Sequence, residues 1–238
     1  MDSVDLIIKS STEFYNDLKI DENGRYRSWE HCYSHFIKAR GSKEIDYDYL
    51  SLQLAFYLAS WGMYRGSSFL LQKDYKVHIP VVKELLSNEY DALAGIECIE
   101  FRKESNQQLL LEINSFLGQY YDKIRREVKG QELKNQLSFT LITKILMGTL
   151  GCVPAYDRYF IAGIKKQKVT TGNYNLKSIM KLVDFYEKIL YDLNQLEKKW
   201  KLTVCHTLRW KCLIWDFGRL DLNWIKCFQK KIKWKKLW

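Results

Sequence analysis

The chain has 238 residues, 47% of them hydrophobic and 15% aromatic, with a formal charge of +10; this excludes a disordered polymer and allows a sizeable core. Only 2 prolines and 12 glycines are present, too few for the recurrent turns of an all-β chain, so an all-α class is expected. Six cysteines without Cys-x-x-Cys spacing, and no run near about 18 uncharged apolar residues, point to reduced thiols in a soluble, cytoplasmic protein with no membrane span.

The opening residues carry acids and lack an apolar run, unlike a signal peptide. Residues 3–18 place Leu6, Ile7, Phe14 and Leu18 on one helical stripe. Asn23-Gly24 is a turn dipeptide. Ser28 then stands where it would cap SWEHCYSHFIKAR, which Gly41 ends. Residues 48–63 are apolar on every side, as a helix at the centre of a bundle would be. Pro80 opens a fourth helix, Ser105 caps a long fifth one ending near Gly130, and Ser138 caps SFTLITKILMGTLG. Pro154 begins PAYDRYFIAGIKK, and Asn175 caps an eighth helix running to Trp200. Short connections between them predict a compact multi-helix domain over residues 1–200.

The texture changes beyond Trp200. Residues 198–238 hold 12 Lys and Arg against Asp216 and Asp221, leaving 26 bases and 26 acids in residues 1–197. Six of the 8 tryptophans fall in the last 39 residues. LRWKCLIW alternates as a short strand would, although a helix fits too. From Leu222 onward, Trp224, Ile225, Phe228 and Ile232 line one side of a basic amphipathic helix. Residues 201–238 are therefore read as a basic, Trp-rich extension. Its tryptophans can stack on bases, lie at a membrane surface, or fold into the core while the lysines face water. The localised charge calls for a polyanionic partner.

The stretch FTLITKILMGTLGCVPAYDRYFIAGI (139–164) runs from an apolar helix through Cys152-Val153-Pro154 into a helix start carrying Asp157. A carboxylate there meets unsatisfied N–H groups and the positive end of the helix dipole, a setting that keeps it ionised. This segment resembles the helix-hairpin-helix DNA glycosylases, the superfamily of endonuclease III and 8-oxoguanine glycosylase. TKIL…VPAYDRYF, with SWGMYRG upstream, is also similar to segments of prokaryotic relatives of that superfamily. The resemblance implies a two-lobed all-α fold, DNA as partner, a cleft between the lobes, and Asp157 as the catalytic carboxylate of base excision. The family's glycine hairpin corresponds to Gln136–Thr140, which has no glycine. Lys144 lies one turn past the position of the lyase members' lysine, so a monofunctional enzyme acting on a damaged or modified base is implied. The alternative is a non-catalytic, nucleic-acid-binding helical protein.

Trp61, Tyr64, Tyr156 and Tyr159 are the aromatic candidates for walls around an extruded base. Arg65, Ser67, Ser68 and Lys73 in the Ser60–Lys76 segment, with Lys144 and Arg158, are the candidates for DNA contact. That segment also reads as a plain helix-to-helix connection. His31 and His35 share a helical face but lack a third ligand, so no metal is expected. No Walker A loop or dinucleotide fingerprint occurs, so no cofactor is expected either. A monomer is expected.

Overall fold

The computed structural model describes residues 13, 16, 20–128 and 137–200, with side chains as far as Lys188. Most of the helix expected over 3–18, and the whole extension from residue 201, lie outside the described residues. Among the described residues the elements are helical, without a strand. They are α1 (Ser28–Ala39), α2 (Tyr47–Ser60), α3 (Ile79–Leu85), α4 (Glu104–Arg126), α5 (Phe139–Thr149), α6 (Arg158–Lys166) and α7 (Leu176–Trp200). Short 3₁₀ turns at Arg25–Arg27, Phe69–Gln72, Tyr75–His78, Asn88–Leu93 and Cys98–Arg102 connect them. The all-α expectation holds. Leu18–Ala155 form one compact unit, and a second begins at Tyr156.

In the first unit α5 is the central helix. Every side chain from Leu141 to Thr149 is buried, and α1, α2 and α4 pack around it. The sequence had given that place to α2, but Tyr49, Leu52 and Phe56 of α2 are 42%, 47% and 61% exposed. Leu50, Leu54, Tyr57 and Leu58 form its inner face. On α4 the buried positions Asn106, Leu110, Ile113, Leu117, Tyr121 and Arg125 recur at three- and four-residue intervals, which aligns them on one stripe.

Tyr57 fixes the crossing of α2 and α5. Its hydroxyl donates to the Lys144 carbonyl at 2.9 Å, and its ring passes so near Gly148 that a Cβ there would lie 2.3 Å from Cε1. Only glycine permits that approach. Arg40, just past α1, donates to Asp91 at 2.5 Å and to the Leu85 carbonyl. It thereby ties α1 to the end of α3 and the turn after it.

A buried polar chain links the connection after α2 to α4. His78 Nε2 is 2.7 Å from the Tyr64 hydroxyl and Nδ1 is 2.6 Å from that of Tyr121. A neutral imidazole offers one donor and one acceptor. Both contacts are satisfied when wholly buried Tyr121 donates to Nδ1 and Nε2–H donates to Tyr64. Burial pushes His78 down from 6.5 to about 3.

In the second unit the Tyr156 ring meets Phe160 and Tyr174 at centroid distances of 5.0 and 4.8 Å. Its hydroxyl lies 3.0 Å from Ser178 Oγ, which is 2.9 Å from Thr170 Oγ1. These hydroxyls join the start of α6 to α7. Ile179, Leu182, Val183 and Tyr186 form the buried stripe of α7.

The helix starts follow the sequence in part. Ser138 accepts from the Thr140 N–H and Asn175 from the Ser178 N–H, as their positions imply. Ser28 instead lies inside α1 and donates to the Arg25 carbonyl, because a 3₁₀ turn leads straight into the helix. Ser105 also lies within its helix, which starts at Glu104 without a side-chain cap. Asp46, overlooked in the sequence, caps α2 through the Tyr49 N–H.

Gly148→Ala is expected to destabilise by about 1–3 kcal/mol in urea unfolding, because the Tyr57 ring must move. Gly118→Ala, whose Cβ would meet only Ile142 Cδ1 at an ordinary 3.8 Å, is expected to stabilise by up to about 1 kcal/mol through helix propensity. For His78 the unfolded chain binds the proton more readily than the folded one. Its contribution to stability is therefore complete above pH 6.5 and declines as pH falls toward about 3. The decline approaches about 1.4 kcal/mol per pH unit, and His78→Gln is expected to remove that part of the slope in urea titrations across this range.

Candidate functional site

Asp157 is the N-cap of α6, in extended backbone at φ −91° and ψ 175°. The sequence had put it inside the first turn of a helix starting at Pro154. Instead Pro154, Ala155 and Tyr156 are non-helical and α6 begins at Arg158. The reason is local: Oδ1 of Asp157 accepts the N–H groups of Tyr159 and Phe160, both at 3.1 Å, giving the helix start partners that the preceding chain cannot supply. Asp157 is part-exposed. Beside it, exposed Arg158 holds its guanidinium 4.5 Å from the Tyr159 ring centroid and donates to the Tyr159 hydroxyl at 2.5 Å.

Tyr156 was expected to face a base. It is 1% exposed, its ring is enclosed by Phe160 and Tyr174, and burial pushes its phenol up to about 12 against the opposing hydrogen bond from Ser178. It is a core residue, its hydroxyl tied to Ser178 and its ring packed between Phe160 and Tyr174.

The other expected site residues belong to the first unit. Lys144, proposed for DNA contact, is 5% exposed. Its position on the central helix sends Nζ to the Trp61 carbonyl at 2.9 Å and to 5.7 Å from the Trp61 ring centroid. It fastens the end of α2 from inside. Lys73 pairs with Glu127 at 3.5 Å, and Ser68 accepts the Leu70 N–H to start a 3₁₀ turn. Tyr64 is part-buried; burial, then the Asp74 charge, pushes it up to about 12. Arg65 and Ser67 are exposed, and Trp61 is part-exposed. The structure therefore gathers Trp61, Tyr64, Arg65, Ser67 and Ser68 in one connection. It gathers Asp157, Arg158 and Tyr159 at one helix start in the other unit.

Tyr26 escaped the sequence reading. Its ring stands edge-on to Trp61 at 5.9 Å, while Arg25 lies 4.7 Å over it and donates to its hydroxyl at 2.8 Å. Arg-Tyr-Arg at 25–27 was the available signal. The partnership of His78 with Tyr121 had none, since 43 residues separate them. His35 lies 3.2 Å from the Tyr49 hydroxyl, and among the described residues no group of three His, Cys, Asp or Glu could hold a metal ion. Cys32, Cys98 and Cys152 are buried thiols; burial raises Cys32 and pushes Cys152 up to about 12, far from a nucleophile's range. Among the described residues no helix is long and apolar enough to cross a membrane.

No family model, curated protein or solved structure matches this chain.

Lys144→Ala is expected to lower stability by about 2–4 kcal/mol in urea unfolding, as truncation of a buried side chain does. A lysine serving only to contact DNA would leave stability unchanged.

Proposed function

We propose that the chain is a DNA glycosylase of the two-lobed helix-hairpin-helix type, monofunctional and acting as a cytoplasmic monomer, with Asp157 as its catalytic carboxylate. The single observation that carries the reading is the setting of Asp157. It is a part-exposed carboxylate immobilised by two backbone N–H groups, followed at once by an exposed cation and a part-exposed aromatic ring. In this reading the C1′–N bond of a damaged or modified nucleotide breaks and its electron pair leaves with the base. The fixed carboxylate faces the oxocarbenium ion and orients the water that adds at C1′. Arg158 meets phosphate, Tyr159 meets the extruded base, and the basic extension supplies sequence-independent attraction.

A second reading, nucleic-acid binding without chemistry, is favoured by one specific observation. Lys144 and Tyr156, both expected at the DNA, are used inside the protein.

The test is incubation of the full chain with DNA carrying deaminated, alkylated or oxidised bases, followed by hot alkali to reveal abasic sites. Asp157→Asn preserves an oxygen that can accept the Tyr159 and Phe160 N–H groups, so its thermal melt should stay close to that of the parent. Base release should fall about a hundredfold or more. Release that survives Asp157→Asn rules out the catalytic assignment. Salt-sensitive binding with no release from any substrate selects the second reading.

A further inference from the structure

We propose that Arg25, Tyr26, Trp61 and Arg65 form a binding site for single-stranded nucleic acid, distinct from the Asp157 helix start and built wholly within the Leu18–Ala155 unit. The proposal takes its polymer class from the nucleic-acid reading above and requires nothing of Asp157.

Two aromatic side chains from distant parts of the sequence meet here. Tyr26 comes from the 3₁₀ turn before α1, and Trp61 is the residue that ends α2. Their rings stand edge-to-face at 5.9 Å and both are part-exposed. A cation flanks each of them. Arg25 stacks on Tyr26 at 4.7 Å and remains exposed. Lys144 Nζ lies 5.7 Å from the Trp61 centroid, a buried charge held close to the ring.

Arg65 supplies the second exposed guanidinium. It folds back so that Cζ lies 3.0 Å from where a Cβ of Gly62 would sit, and Gly62 itself is at φ +77°. Any other residue at 62 would be strained and would displace Arg65 from the backbone next to Trp61. Of the carboxylates close in sequence, Glu30 pairs with Arg27 at 3.4 Å and Asp21 lies against Gly24.

Part-exposed aromatic rings bordered by arginines suit unpaired bases and their phosphates. Each base has a face to stack, and planar guanidiniums match phosphate oxygens. A duplex keeps its base faces covered, so the site discriminates in favour of single strands. On a base-excising protein it would hold DNA that has already been opened; on a non-catalytic protein it would be the binding activity itself.

The test is fluorescence anisotropy of the full chain with labelled oligothymidine over a series of salt concentrations. The intact chain should bind, and the Arg25→Ala/Arg65→Ala double variant should bind at least about tenfold more weakly at low salt. The double variant should also lower the slope of log affinity against log salt by about 1.4, the value for two phosphate contacts on a single strand. Tyr26→Leu should weaken binding about tenfold with little change in slope, as expected for a lost stacking partner. Circular dichroism melts check that the exposed substitutions leave the fold intact, and Lys43→Ala, on an exposed lysine elsewhere, should leave most of the affinity in place. No binding of oligothymidine by the intact chain, or an unchanged affinity and slope in the double variant, overturns the proposal. Oligothymidine binding of this pattern without base release sustains the site and rejects the Asp157 reading alone.

Discussion

The first unit depends on a lysine ammonium brought into its interior. Lys144 projects from α5, the helix with the fewest exposed side chains, and burying a charge there costs several kcal/mol unless hydrogen bonds replace water. The Trp61 carbonyl at 2.9 Å and the indole ring at 5.7 Å provide that replacement. The end of a helix is where a carbonyl lacks an intrahelical donor, and Trp61 ends α2. One residue therefore settles two problems, its own desolvation and the termination of its neighbour. Tyr57 returns the connection by donating to the Lys144 backbone, one turn from the glycine that admits its ring. Removing any of these groups leaves another without its partner.

The same economy runs through the unit's other interior polar groups. Arg40 fastens three segments with one guanidinium, and His78 joins two tyrosines across a buried interval. Directional contacts of this kind fix the relative placement of helices that apolar packing alone would allow to slide. They also decide which cations remain for a partner. Lys144, Lys73 and Arg40 are engaged internally, whereas Arg25, Arg65 and Arg158 keep exposed side chains. Two of those three lie over the tyrosine that follows them in sequence, at 4.7 and 4.5 Å. An Arg-Tyr dipeptide thus presents a planar cation with its aromatic neighbour already oriented, which lowers the conformational entropy lost on binding.

Asp157 combines a structural and a proposed chemical role in one carboxylate. As a cap it stabilises α6 by about 1 kcal/mol. That tether holds its direction fixed, which catalysis by electrostatic stabilisation demands of any group facing a developing cation. Asparagine separates the roles because it retains the acceptor and loses the charge. The helix start and the Arg25–Arg65 surface belong to different units, so each carries its own functional reading.

The sequence by itself determined the helical class, the caps at Ser138 and Asn175, and the burial of α5. These follow from local rules, namely apolar periodicity, scarce glycine and proline, and side chains that accept their own helix's first N–H groups. It also singled out Asp157 and the Ser60–Lys76 connection. What it could not determine was which polar residues would be used up inside. Lys144 and Tyr156 read as reachable because nothing adjacent to them in sequence shows what encloses them; Trp61 lies 83 residues from Lys144, and Ser178 lies 22 from Tyr156. Tyr26 became interesting only when folding set it against Trp61. Local propensity is written residue by residue, but the burial of a charge or ring is a property of everything packed around it, and that is decided only by the tertiary structure.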